Sequence, residues 1–181
     1  MPTYIRWREP GATYFFTVVT KDRRPILTTP IAQRLLHEAF ERVRSRLPFE
    51  MPASVLLPDH LHCLWTLPPN DDDFPQRWSR AKAIFTREFL RSGGTERPVT
   101  SDHRRQRRRG VWQPRYWEHL IRNEEDYVQH RDYIHLNPVK HGLVQTPEAW
   151  PWSSVHDHLR RGELAPDWWN TTHIVLPDAL E

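Results

Sequence analysis

One cysteine, Cys63, in 181 residues excludes a disulfide within the chain. It lies in an apolar stretch, where a packing role is expected of it. No run approaches the 18 or more apolar residues of a membrane-spanning helix, and residues 1–8 contain no apolar leader. A cytoplasmic protein without a membrane partner is therefore expected. Internal repeats are lacking too. The net charge is only +3, so bulk charge alone does not name a partner.

What is present supports a packed globule. The chain is 38% hydrophobic, with 9 Trp, 5 Tyr and 7 Phe, and is long enough for one full core in which roughly two-thirds of the unfolded surface is buried. The 27% charged residues and 17 prolines predict many loops. Residues 13–20 are aromatic and β-branched and read as a buried strand. Apolar residues from Ile31 to Leu47 recur at helical spacing between Pro30 and Pro48. Residues 54–57 and 61–67 read as a strand pair interrupted at Pro58 and Asp59. A second helix is predicted from Phe74 to Ser92, with Trp78, Ala81, Phe85 and Phe89 on one face and Arg77, Arg80, Lys82 and Arg87 elsewhere on it. Such a basic helix would suit a nucleic-acid backbone. Residues 93–110 lack periodicity and read as a loop that orders on a ligand, 111–121 as the last strand. A third helix starts after Asn123, a good N-cap, and should stop near Leu136, because Pro138 disfavours helical geometry at Asn137. A short helix is expected near residues 155–161.

The stretch from Leu57 to Thr66 contains His60-Leu61-His62. On a strand, His60, His62, Leu64 and Thr66 share one face, and Leu61, Cys63, Trp65 and Leu67 the other. Two neutral imidazoles side by side can ligate a divalent metal and leave positions open for substrate. For an isolated His-x-His pair, the commoner role is that of an ordinary strand residue. The third helix adds to it: Tyr133 and Asn137 are four apart and point the same way, with His130 nearby, whereas Tyr127 points away. A phenol with a reference pKa of about 10 is a poor nucleophile, and attack on phosphorus requires the phosphate's charge to be reduced. A metal held by His60, His62 and the Asn137 side-chain oxygen would do this and place phosphorus near Tyr133.

Pro58-Asp59-His60-Leu61-His62, Trp112-Gln113, the run from Tyr116 to Arg122 and the run from Asp132 to Val144 together resemble the REP-associated tyrosine transposases. These are relatives of the IS200/IS605 single-tyrosine transposases in the HUH endonuclease superfamily. The resemblance implies an α+β fold, a ferredoxin-like or RRM-like antiparallel sheet flanked by helices. It spans the first strand to about Trp152, suggesting a catalytic domain over residues 1–152 and a tail over 153–181 packed on it. It matches His60 and His62 to the family's histidine pair and Tyr133 to its nucleophile, the catalytic set. Asn137 matches the polar residue one turn later, completing a metal set of His60, His62 and Asn137 for Mg2+ or Mn2+. The implied chemistry is cleavage and rejoining of REP-type palindromic hairpins through a 5'-phosphotyrosine link, by a monomer.

Arginine fills five of the six positions 104–109. Its planar fork suits phosphate, so Arg104, Arg105, Arg107, Arg108, Arg109 and Arg115 are the candidate contacts to single-stranded or hairpin DNA. The C-terminal tryptophans are candidates for base stacking, although each is more commonly a core residue. Two competing functions share these residues: a hairpin binder without activity, and a phosphoesterase that uses water in place of Tyr133.

Overall fold

The computed structural model describes residues 8–106 and 108–170. Strand β1, Thr13–Val19, is the aromatic segment expected from sequence and is buried along almost its whole length. Helix α1, Pro30–Arg44, starts where the Thr29 side chain accepts the Ala32 N–H, with Pro30 in the first turn. It ends four residues before Pro48. Strand β2, Glu50–Leu56, begins earlier than its β-branched core suggests, because the register shift between Glu50 and Ala53 accommodates Pro52. Strand β3, His60–Thr66, follows, and then helix α2, Phe74–Arg91, is capped by Asp73.

The segment 111–121 is not one strand. Only β4, Trp117–Leu120, is regular. Trp112 makes an isolated bridge to Thr20, and Pro114, which has no N–H, breaks the ladder between the two. Residues 93–110 include the short helix α3, Ser101–Arg105, capped by Thr100, so part of this segment is ordered without a ligand. Helix α4, Glu124–Lys140, starts at the Asn123 cap and runs past the expected stop. Pro138 lies in its last turns, where it forfeits a single N–H. The exit is closed by Gly142 at φ +66°, whose N–H bonds to Val139 O at 2.9 Å while Leu143 N bonds to Pro138 O at 2.9 Å.

The sheet order is β2-β3-β1-β4 with every neighbour antiparallel. With two β-α-β crossovers, this is the ferredoxin-like arrangement the resemblance implies. Alternation divides the sheet as predicted. Leu61, Cys63, Trp65 and Leu67 join Tyr14, Phe16 and Val18 against α1 and α2. Phe15, Val55 and Leu64 face α4 through Tyr133 and Ile134. Trp65 and Trp78 stack at 4.1 Å, pinning α2 to the first face.

The chain then doubles back along the outer edge of β2. Leu56 N bonds to Trp152 O and Ser154 N to Ser54 O, each at 2.9 Å. Helix α5, Val155–Arg160, follows, and Val155, Leu164 and Trp168 form a small third core. Among the described residues, no helix is long and apolar enough to cross a membrane.

Candidate active site

His60 and His62 open β3, on the face that α4 covers. Pairing of β1 with β3 sets Thr17 opposite His62 and Val19 opposite His60. Both imidazoles are buried, and their ring centroids are 4.8 Å apart. Each ring is fixed by its Nδ1: that of His62 lies 2.8 Å from Thr17 Oγ1, and that of His60 2.6 Å from Asp59 Oδ1. Asp59 is held in turn by Arg23 at 3.1 Å, and its backbone oxygen accepts from the Thr20 N–H and hydroxyl. Burial alone would raise the Asp59 carboxyl, but the hydrogen bond from His60 and the Arg23 pair outweigh it, and it titrates below the ordinary value. The turn that supplies Arg23 is strained, with Asp22 at φ 57° and Arg23 at φ 48°, both in the left-handed region.

Helix α4 brings the other residues. Tyr133 meets His62 edge-on at 5.2 Å between ring centroids, and His141, two turns later, meets His60 at 5.2 Å. Asn137 stands between them on the same helix face and is fully buried. Spacing pairs His60 with His62 and Tyr133 with Asn137, and the packing of α4 on the sheet brings the two pairs together. Nε2 of His60, Nε2 of His62 and both amide atoms of Asn137 are buried without a hydrogen-bond partner among the described residues. Each such atom costs about 1–3 kcal/mol unless something binds it. Burial, reinforced by His60, pushes the His62 pKa well below its ordinary value, so its ring is in the neutral form that ligates a cation. Two imidazole nitrogens and an amide oxygen are a donor set that fits a divalent metal.

Another trio with metal-ligating chemistry, His119, Asp126 and His130, lies on the same sheet face. It differs in being satisfied. The Asp126 carboxylate is 2.9 Å from His119 Nε2 and 3.0 Å from His130 Nδ1, and it accepts from the Arg122 N–H. None of its atoms is both buried and unpartnered. This trio fastens β4 to the first turns of α4, one turn from Tyr133.

Residues 10–137 match the family model described as "Transposase IS200 like". The chain belongs to the IS200-like transposase family. A REP-associated tyrosine transposase of Escherichia coli K12 is 43% identical over 168 residues, covering 93% of this chain and 91% of the relative. A provisionally named REP-associated tyrosine transposase of Haemophilus influenzae is 38% identical, covering 93% of each. A solved REP-associated tyrosine transposase bound to a REP hairpin aligns with a TM-score of 0.82 at 40% identity, covering 100% of this chain and 98% of that one. The protein is thus a DNA transposase of the REP-associated tyrosine kind.

The arginines of this transposase have unlike surroundings. Arg104, Arg105, Arg108 and Arg115 are exposed, Arg105 with Asp102 at 3.3 Å. Arg109 is exposed too, but its fork is engaged on Glu96 at 2.6 and 2.8 Å while Glu96 also accepts the Gly110 N–H. Arg107 lies outside the described residues. The segment is moored beside the site, since Arg24 donates to Thr95 and Arg97 approaches Asp22 in the turn that carries Arg23. By contrast, α2 covers the sheet face opposite the histidines, so it is not the basic helix beside the site that its charge suggests. Arg77 there is fully buried on Asp71 at 2.7 Å, a structural pair. Trp150 and Trp168 are buried as well, which leaves half-buried Trp152 and Trp169 as the stacking candidates.

Sequence reasoning missed Thr17, Arg23, Lys140 and His141. Thr17 had a usable signal, since strand pairing that buries the aromatic face of β1 puts a hydroxyl opposite His62. Arg23 had none, because its position depends on an unusual left-handed turn.

Proposed function

We propose that this transposase is a metal-dependent single-strand DNA endonuclease and strand-transfer enzyme for REP-type hairpins, with Tyr133 as nucleophile. The observation that carries the reading is the buried, partnerless set of His60 Nε2, His62 Nε2 and Asn137 amide beside Tyr133. A bond forms between the Tyr133 oxygen and a backbone phosphorus as the bond to the 3'-oxygen breaks. The phenol loses a proton and the leaving strand gains one as a 3'-hydroxyl, with the 5'-phosphate retained on tyrosine. Attack by another 3'-hydroxyl reverses these steps. One phosphodiester replaces another, so no nucleotide cofactor is needed.

His60, His62 and the Asn137 oxygen would hold Mg2+ or Mn2+, which supplies polarisation of a phosphate oxygen. The nitrogen-rich set suits manganese at least as well as magnesium. Asp59 and Thr17 orient the two rings. In this reading the protein acts as a monomer. Arg104, Arg105, Arg107, Arg108 and Arg115 contact DNA phosphates, and Arg109 secures their segment through Glu96. In this reading residues 1–152 form the catalytic domain and 153–181 a tail, of which 153–170 pack along β2 and 171–181, like 1–7, lie outside the described residues.

The test is a denaturing gel of labelled single-stranded hairpin DNA, from repeats flanking the gene, with wild type or Tyr133→Phe and either metal. A metal-requiring covalent protein–DNA band in wild type, absent in Tyr133→Phe, is expected. Cleavage that survives Tyr133→Phe would assign the reaction to water. Binding without cleavage under either metal would make the protein a hairpin binder.

A further inference from the structure

Lys140 lies seven residues after Tyr133 on α4, two turns on and therefore on the same face. Its ammonium stands 5.2 Å from the centre of the Tyr133 ring. Tyr133 is 4% exposed, whereas Lys140 is exposed, so the charge stands between the buried ring and solvent. The helix exit closed by Gly142 fixes where the Lys140 stem begins.

Phosphoryl transfer to tyrosine places negative charge on the phosphate oxygens during attack and on the phenolate when tyrosine leaves. A preorganised cation aimed at both lowers the barrier in each direction. Lysine suits this, being a compact point charge with three donors on a flexible stem.

We propose that Lys140 is a catalytic residue of this transposase, its ammonium donating hydrogen bonds to the scissile phosphate and to the tyrosyl oxygen in the transition state. It keeps its proton throughout. The Tyr133 O–P bond forms, the P–O3' bond breaks, and the phenol proton passes by way of solvent to the departing 3'-oxygen. The inference rests on Tyr133 being the nucleophile.

The experiment is single-turnover cleavage of the labelled hairpin by the full chain, with hairpin affinity measured in parallel. Lys140→Gln is expected to slow cleavage by about 10²–10³-fold, the usual effect of removing one preorganised donor. Its affinity should change no more than the loss of one phosphate contact allows, a salt slope shallower by about 0.7. Lys140→Cys provides a rescue, because the other thiol, Cys63, is buried. Treatment with 2-bromoethylamine rebuilds an ammonium on a thioether stem and should restore the rate. Lys140→Gln as fast as wild type would overturn the proposal. So would a slow Lys140→Cys that binds hairpin but is not restored by aminoethylation, since the position would then matter for packing. Tyr133→Phe run alongside separates the two levels: a covalent band that survives in Tyr133→Phe removes the tyrosine reading itself, whereas an unaffected Lys140→Gln beside an inactive Tyr133→Phe removes only this one.

Discussion

Asp59 decides which nitrogen His60 presents to the site. By accepting from Nδ1–H it leaves the lone pair on the buried, unpartnered Nε2, as an outer carboxylate does behind a metal-bound histidine. Asp59→Asn is therefore expected to weaken Mn2+ binding by about 10–100-fold while hairpin affinity is kept. Titration of Mn2+ followed by electron paramagnetic resonance checks this, and unchanged Mn2+ affinity would mean that His60 does not ligate through Nε2. His135, one turn from the site but facing α5, gives a pH prediction. Burial first, and the neighbouring His158 second, push its pKa well below the ordinary 6.5, and its Nε2 bonds to Ser154 Oγ at 3.0 Å. The unfolded chain takes up a proton near 6.5 while the folded chain does not. The stability tied to the neutral ring is thus complete above that pH and is lost as pH falls below it. In His135→Gln, the fall in unfolding free energy between pH 6.5 and 5 should be shallower by up to about 1.4 kcal/mol per pH unit, measured by urea titration.

At the scale of elements, the arginine segment is half anchor and half exposed positive charge. Glu96 takes Arg109, and Arg24 takes Thr95, leaving Arg104, Arg105 and Arg108 exposed. Changing those three to Gln should flatten the dependence of log affinity on log salt by about 2, near 0.7 for each single-strand phosphate contact. Hairpin affinity measured across a KCl series reads this directly, and an unchanged slope would place DNA elsewhere. Elements with strong periodicity, α1, α2 and β3, were legible from the order of residues, including which face of β3 carries the histidines. The ends of α4 and β4 were not. Pro138 argues locally for a stop at Leu136, yet packing of Tyr133, Ile134 and Asn137 against the sheet outweighs one missing N–H. Residues 111–121 look like one apolar strand, but Pro114 divides it into a bridge and a short edge.

Across the whole molecule, the sheet separates two kinds of work. One face is a large aromatic core with α1 and α2, where Phe16, Trp65 and Trp78 pack around the 4.1 Å tryptophan stack. The other carries the site. Trp65→Ala empties the first core behind the histidine strand and should cost about 3–5 kcal/mol, read as a lower urea midpoint with the hairpin still bound by the folded fraction. The sequence by itself determined the helix faces, the alternation of β3 and the pairing of Tyr133 with Asn137, because these follow from fixed rises and periods along one chain. Only the tertiary structure decided that His60 Nε2, His62 Nε2 and the Asn137 amide are left buried and unpartnered, and that the trio of His119, Asp126 and His130 is not. It also decided that Arg77 is structural and that Lys140 stands over the Tyr133 ring. Hydrogen-bond satisfaction depends on what every neighbouring element contributes, and neighbours distant in sequence meet only when the sheet and α4 close on one another.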